Sequence, residues 1–476
     1  MSRAEWHRAE VFVGGRWRPT RDGRTVAVDN PASEEPIGAA ADAGVGEVDD
    51  AVAAATAAFV DWSTRPVDER VDLLTSWLKV LDARRDLLVE TTIAEVGAPR
   101  TVAEQAHVDS GLAVLSGYLT AAPDVVWQER VGNSLVLREA AGVAACITPW
   151  NYPLYQVLAK VGGALVAGST VVLKPAELTP LSAYLLADAA ADAGLPPGVF
   201  NLVPGAGRVV GEALAGHPGI DVLSFTGSTA VGARVSALAA PTIKRVCLEL
   251  GGKSASVVLP GADLATAVTA TVESAMLNSG QTCSAWSRLL VPADLLADAV
   301  VVAGQATARL VVGDPTAAAT AIGPVVSAAQ RDTVLGFVAR AVEAGAVVAA
   351  GGHARPDGLD RGHYVRPTVL TNVRPDAEIV LEEVFGPVLT VQGYDSEAEA
   401  LAMANATTYG LAGAVWAADE DRALAFARRM RTGQVDINGG TFNPVAPFGG
   451  YRRSGNGREL GRWGIEEFLE TKSVQW

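Results

Sequence analysis

The chain has 476 residues, enough for two or three domains that each bury a core. Its 38 basic and 53 acidic residues leave a formal charge of −15, scattered along the chain, which argues against nucleic acid as a partner. With 49% hydrophobic and 19% charged residues the composition is globular and not disordered. Three cysteines (Cys146, Cys247, Cys283) without a CxxC pair, and five dispersed histidines, fit neither a disulfide framework nor a metal site. The mean hydropathy of +0.23 calls for a membrane check. The longest uncharged stretch, 140–159, is interrupted by Pro149, Asn151, Pro153 and Gln156, which a lipid-exposed helix could not accommodate. The start from Met1 to His7 lacks the apolar core of a secretory signal, so a cytoplasmic protein that does not span a membrane is the expectation.

In chain order, residues 6–31 read as edge strands with turns at Gly14-Gly15 and Asp22-Gly23. Val67, Val71, Leu74, Leu78 and Leu81 then recur at helical steps behind Pro66, and a second helix runs over 86–95 to Gly97. From Gly142 onward strand and helix alternate. Strands are expected at 143–147, 170–173, 199–203, 222–225 and 245–248, separated by helices. These strands are apolar on both faces, as in a parallel sheet wrapped by helices, and such sheets bind ligands at their carboxyl ends. A second alternating region runs over 254–438, with strands at 289–291, 388–391, 412–416 and 434–437. Strand-like runs also occur at 134–138 and 469–476.

Several segments carry chemistry. Gly205-Ala206-Gly207-Arg208-Val209-Val210-Gly211 imitates a dinucleotide fingerprint, but its last glycine is one position late, so it reads better as a tight strand-to-helix turn. Phe225-Thr226-Gly227-Ser228 leaves a strand and opens a helix, where free amides attract phosphate or simply accept an N-cap. Lys174-Pro175-Ala176-Glu177 at a strand end offers ribose contacts or a solvated surface pair. Cys146 and Cys247 sit in apolar runs, whereas Cys283 lies in the polar stretch Asn278-Ser279-Gly280-Gln281-Thr282-Cys283-Ser284, the setting of a reactive thiol. Glu249, flanked by leucines at a strand end, is a candidate general base or a salt-bridged core carboxylate.

Together, these segments resemble the aldehyde dehydrogenase superfamily over essentially the whole chain. The resemblance rests on Thr148-Pro149-Trp150-Asn151-Tyr152-Pro153, Lys174-Pro175-Ala176-Glu177, Phe225-Thr226-Gly227-Ser228, Glu249-Leu250-Gly251-Gly252-Lys253 and Gly280-Gln281-Thr282-Cys283. Glu382-Glu383-Val384-Phe385-Gly386-Pro387 and Pro447-Phe448-Gly449-Gly450 complete it. It implies an α/β fold: a Rossmann-like parallel-sheet cofactor domain (1–120 and 141–251), an α/β catalytic domain (252–453) and a small β oligomerisation arm (121–140 and 454–476). It implies Cys283 as nucleophile, Asn151 as oxyanion donor and Glu249 as the base for thioester hydrolysis. It implies cofactor contacts by Thr148, Pro149, Trp150, Lys174, Ala176, Glu177, Gly205, Phe225, Gly227, Ser228, Val231, Leu250, Gln330, Glu383 and Phe385.

The cofactor implied is NAD, with NADP possible, because the Glu177 carboxylate would repel a 2′-phosphate. Ala230 departs from the glutamate that relatives often carry in this motif, with little effect expected if backbone amides hold the phosphate. Tyr152, Gln156, Thr282 and Phe448, with Tyr155, Trp286 and Phe442, fall on the substrate tunnel. None supplies the arginine expected for a carboxylate-bearing semialdehyde. The partner implied is a small-molecule aldehyde, and the assembly a homodimer or homotetramer. Two alternatives keep this scaffold: acyl transfer to coenzyme A, against which Glu249 counts, and a non-catalytic binding protein, against which Cys283, Glu249 and Asn151 together count.

Overall fold

The structure, a computed structural model, describes residues 6–476; residues 1–5, the front of the stretch read for a secretory signal, lie outside the described residues. The uncharged stretch 140–159 is divided between the strand Val143–Ile147 and the helix Pro153–Ala167. Among the described residues no helix is long and apolar enough to cross a membrane.

An eight-stranded sheet runs in the spatial order Gly455–Asn456, Arg245–Glu249, Val222–Thr226, Val143–Ile147, Thr170–Lys174, Phe200–Leu202, Glu10–Val13, Arg16–Pro19. Its five inner strands are parallel, and the flanking strands pair antiparallel. The expected alternation therefore holds strand for strand. The residues Val143 to Ile147 and Thr170 to Lys174 are all buried, because helices cover both faces. Chain order reverses between Val143–Ile147, the first of the five, and Val222–Thr226, the fourth. A crevice opens at such a switch point, outside the carboxyl ends of the strands. The registers align those ends: Ile147 stands beside Lys174 and Phe225, and Thr226 beside Glu249.

A second sheet follows the order Val347–Ala350, Thr368–Thr371, Val388–Tyr394, Arg288–Pro292, Ala255–Val258, Gly413–Trp416, Asp436–Ile437, parallel except at its first strand. The strand Leu469–Gln475 pairs antiparallel with Ser134–Ala140, which also pairs with Gln128–Val131. Leu469–Gln475 thus lies at the edge of its sheet.

The helix Val67–Ala83 buries Leu74 and Leu81 of its expected stripe and leaves Val67, Val71 and Leu78 half-buried, while Arg70 and Trp77, outside that stripe, are buried too. The pattern does not single out the longer helix Val45–Thr64, which is alanine-rich and only weakly two-faced. It buries Val48, Ala51, Val52, Ala55 and Trp62, and Glu47 reaches back to accept the Gly44 N–H at 2.8 Å. The helix Leu181–Asp192 begins at Pro180, which supplies no side-chain cap. Its first amides are met from elsewhere: Glu95 accepts from Leu181 N–H at 2.7 Å and Ser182 N–H at 3.1 Å. Just before this helix, Thr179 donates its hydroxyl to the Trp150 carbonyl at 3.0 Å and so ties the segment to the crevice.

Replacing Glu95 with alanine leaves those amides buried without acceptors. A loss of roughly 1–3 kcal/mol is expected, read as a lower Tm by calorimetry. Burial raises the Glu95 carboxyl to about 7. A folded-state pKa above the unfolded one stabilises at low pH and fades as pH rises through it. The penalty should therefore be largest near pH 4.5 and shrink as pH rises to about 7; the same loss of Tm at both ends of that window would contradict the role.

Candidate active site

Two cavities meet at Cys283. One is lined by Pro149, Trp150, Asn151, Thr226, Gly227, Ser228, Leu250, Gly251, Gln330, Glu383 and Phe385, at the switch point of the eight-stranded sheet. The other, of about 260 Å³, is lined among others by Tyr152, Tyr155, Gln156, Thr282, Trp286, Phe442 and Phe448. Among the described residues Cys283 is the one that lines both. Cys146 and Cys247 are buried, whereas Cys283 is partly exposed.

The backbone before the thiol is unusual. Asn278, Ser279 and Gly280 adopt φ of 52°, 58° and 73°, three successive left-handed residues of which only the last is glycine. Each non-glycine residue there costs about 1–3 kcal/mol of strain, and side-chain bonds hold it. Asn278 Nδ2 donates to the Asn151 carbonyl at 2.9 Å, and Asn278 Oδ1 lies 3.3 Å from His107 Nε2. Ser279 donates to the Gly323 carbonyl at 2.9 Å, and Gln281 Oε1 accepts from Val326 N–H at 2.8 Å. Gly280 must be glycine on spatial grounds as well, since a Cβ there would meet the Gly386 carbonyl at 2.1 Å. That contact explains why Gly386-Pro387 belongs to the same constellation.

Asn151 is buried and donates one side-chain N–H to the Gln281 carbonyl at 2.9 Å. This leaves its other N–H for a ligand in the crevice that it lines. His107, absent from the sequence reading, stacks on Tyr152 with ring centroids 4.3 Å apart. Burial lowers it to about 4, so it is neutral, and its Nε2–H donates to Asn278. Tyr152 and Thr282 share a hydroxyl hydrogen bond of 2.7 Å, which ties the tunnel wall to the thiol loop.

Glu249 ends its strand as expected, 5% exposed, yet it lines neither cavity. Both its carboxyl oxygens are buried without a hydrogen-bond partner. Desolvation, then the nearby Glu459 charge, pushes its pKa well above the ordinary range. Gly449 makes room for it: a Cβ there would lie 2.6 Å from Glu249 Oε1. The Cys283 thiol is pushed up to about 12 by desolvation, with Glu383 and Glu249 adding to the shift. Glu249 is therefore within electrostatic reach of the sulfur. Behind it Lys160 pairs with Glu459 at 2.6 Å and donates to Ser224 Oγ at 3.2 Å, an ion pair signalled in sequence by the one charge in an apolar helix.

The remaining sequence candidates divide. Gln330 Nε2 donates to the Phe385 carbonyl at 2.8 Å, and Phe385, itself at φ 56°, meets Trp150 edge-on at 5.3 Å. Glu383 accepts from Gly252 N–H at 3.0 Å and is raised to about 7 by burial. Thr148, Lys174, Ala176, Glu177, Gly205, Phe225 and Val231 do not line the crevice itself. Lys174 Nζ donates to Glu177 Oε2 at 3.2 Å, and Glu177 Oε1 accepts the Gly207 N–H. The Gly205–Gly207 turn therefore spends an amide on a carboxylate of its own chain. A Cβ on Gly205 would press the Val210 side chain at 2.7 Å, so its glycine has a packing reason.

A dinucleotide suits these residues. Thr226 Oγ1 is a buried orphan beside the crevice. Gly227 and Ser228 line it, and Ser228 caps the helix Thr229–Ala239, a helix start being a place that attracts phosphate. Glu177 and Lys174 stand at the neighbouring strand end.

Comparison with known proteins agrees with this arrangement. The sequence profile of the aldehyde dehydrogenase family matches residues 17–474. The chain is 45% identical over 468 residues to a 3-succinoylsemialdehyde-pyridine dehydrogenase of Pseudomonas sp., covering 98% of each. It superposes with a TM-score of 0.96 and 43% identity on Aldehyde Dehydrogenase C from Pseudomonas syringae, a cysteine-to-alanine variant in complex with NAD+ and octanal, covering 99% of this chain and 98% of that one. A Mycobacterium tuberculosis aldehyde dehydrogenase complexed with NAD+ gives a TM-score of 0.97 at 41% identity, with 99% and 98% covered.

In folded protein, iodoacetamide should label Cys283 and spare Cys146 and Cys247. Because the thiol titrates near 12, labelling should quicken roughly tenfold per pH unit between about 7 and 9. A plateau within that range, followed by mass spectrometry, would show a thiol already ionised.

Proposed function

The chain belongs to the aldehyde dehydrogenase family, and from that premise we propose that it oxidises a small aldehyde to the carboxylic acid with NAD, through a covalent intermediate on Cys283. The observation that carries this is the position of Cys283, open to an aromatic-walled cavity on one side and to the switch-point crevice on the other.

Cys283 gives its thiol proton to water, with the Glu249 carboxylate assisting, and its Sγ attacks the aldehyde carbon. The carbonyl oxygen becomes a tetrahedral alkoxide, held by the free N–H of Asn151 and the backbone N–H of Cys283. A neutral aldehyde is a poor hydride donor, whereas this alkoxide expels hydride readily, so the thiol has to act first. When bound, the nicotinamide supplies the hydride acceptor. What remains on Cys283 is a thioester. Glu249 then takes a proton from water, which attacks the thioester carbon, releases the acid and returns the sulfur. This role asks the carboxyl to turn out of its buried seat. Its unpartnered oxygens support that reading, because no hydrogen bond holds it there.

Trp150, Gly227, Ser228, Leu250, Gln330, Glu383 and Phe385 are assigned to the cofactor, with Thr148, Pro149, Ala176, Gly205, Phe225 and Val231 around them. Glu177 and Lys174 take the adenosine ribose. The negative charge of Glu177 favours NAD over NADP. Residues 1–120 and 141–251 are assigned to cofactor binding, 252–453 to catalysis, and 121–140 with 454–476 to assembly. The edge position of Leu469–Gln475 supports a homodimer or homotetramer built by strand pairing. A cytoplasmic location suits a mechanism that needs a reduced thiol.

Cys283→Ala should abolish NADH formation while leaving the Kd for NAD within about twofold, by absorbance and intrinsic fluorescence. Glu249→Gln should give one equivalent of NADH per site in a burst, followed by turnover roughly a hundredfold slower. Normal steady-state turnover in that variant would remove Glu249 from its role.

A further inference from the structure

The aromatic cavity contains one charged side chain besides the reacting thiol, and that charge has no counter-ion. Asp436 opens the strand Asp436–Ile437 at the edge of the second sheet, opposite Ala414. Its half-buried carboxylate lines the same cavity as Cys283, Tyr155, Trp286 and Phe442. Its one hydrogen-bond partner among the described residues is the neutral Gln434, whose Nε2 donates to Oδ1 at 3.1 Å. Among the described residues no lysine, arginine or histidine lines the cavity. Burial raises the Asp436 carboxyl, and only the Gln434 bond opposes that shift; no cation contributes. A second acceptor stands nearby: Gln156 lines the cavity, is 4% exposed, and its Oε1 has no partner.

A half-buried carboxylate without a counter-ion costs stability, and an uncharged asparagine could accept the Gln434 bond without that cost. The charge makes sense if something entering the cavity neutralises it. The aromatic faces of Tyr155, Trp286 and Phe442 attract the same kind of group, because ring quadrupoles favour cations.

Resting on the aldehyde-oxidising reading above, we propose that Asp436 is a specificity-determining residue that selects aldehydes carrying a cationic nitrogen at the end remote from the carbonyl. The nitrogen sits between the carboxylate and the aromatic wall while the carbonyl faces Cys283. A carboxylate at the same place on the substrate meets like charge and no donor of positive charge.

The test uses three aldehydes of one chain length, ending in a trimethylammonium group, in its tert-butyl carbon isostere, and in a carboxylate. In the wild-type protein the carboxylate aldehyde should have the lowest kcat/KM, roughly tenfold or more below the ammonium aldehyde. Asp436→Asn should lower kcat/KM for the ammonium aldehyde roughly tenfold and leave the isostere within about twofold. The unchanged isostere then also reports a folded, competent variant. Equal effects on both, or no preference against the carboxylate in the wild type, would overturn the proposal. Should the wild-type protein oxidise all three equally, aldehyde oxidation stands and the role of Asp436 falls; should it oxidise none, the aldehyde-oxidising reading fails first.

Discussion

The site depends on a strained piece of backbone. Three left-handed residues, Asn278 to Gly280, turn the chain sharply and set Cys283 at the margin of the core, between two cavities. Such a turn costs free energy at two non-glycine positions, and it persists because its surroundings over-determine it. Asn278 bridges His107 and the Asn151 carbonyl, Ser279 holds Gly323, and Gln281 holds Val326. The same bonds fix Asn151. Nucleophile and oxyanion donor are thus parts of one hydrogen-bonded unit, whose pieces follow the strand Val143–Ile147 of the eight-stranded sheet and the helix Leu264–Met276, which connects two strands of the second sheet.

Electrostatics gives the unit its resting state. Desolvation, then the Glu383 and Glu249 carboxylates, raises the Cys283 thiol, and desolvation raises the Glu249 carboxyl in its buried seat. Both groups resist ionisation there, so removal of the thiol proton is part of the work the site has to do. Ionisation on demand also limits wasteful oxidation of an exposed sulfur.

Much of this was legible in sequence, for definable reasons. The strands of the first sheet bury both faces, so their apolar runs mark them almost to the residue, as at Val143–Ile147 and Thr170–Lys174. The polarity around Cys283 separates it from Cys146 and Cys247. The less legible features act through space. His107 lies in a wide-turned helical stretch, Ala103–Asp109, far in sequence from the residue that it holds. Asn278 looks like an ordinary polar loop residue until its backbone angle is known. Glu249 was readable as half-buried, but its separation from both cavities was not, since it depends on the missing side chain of Gly449. Asp436 opens a short strand in a run of mixed polarity, and only the cavity shows what it faces.

The most direct test of the account is the mass of the protein during turnover. Glu249→Gln protein mixed with NAD and an aldehyde, quenched in acid and digested, should carry an acyl group on the peptide containing Cys283, at near one per chain. An unmodified peptide, or acylation at another residue while NADH accumulates, would contradict it.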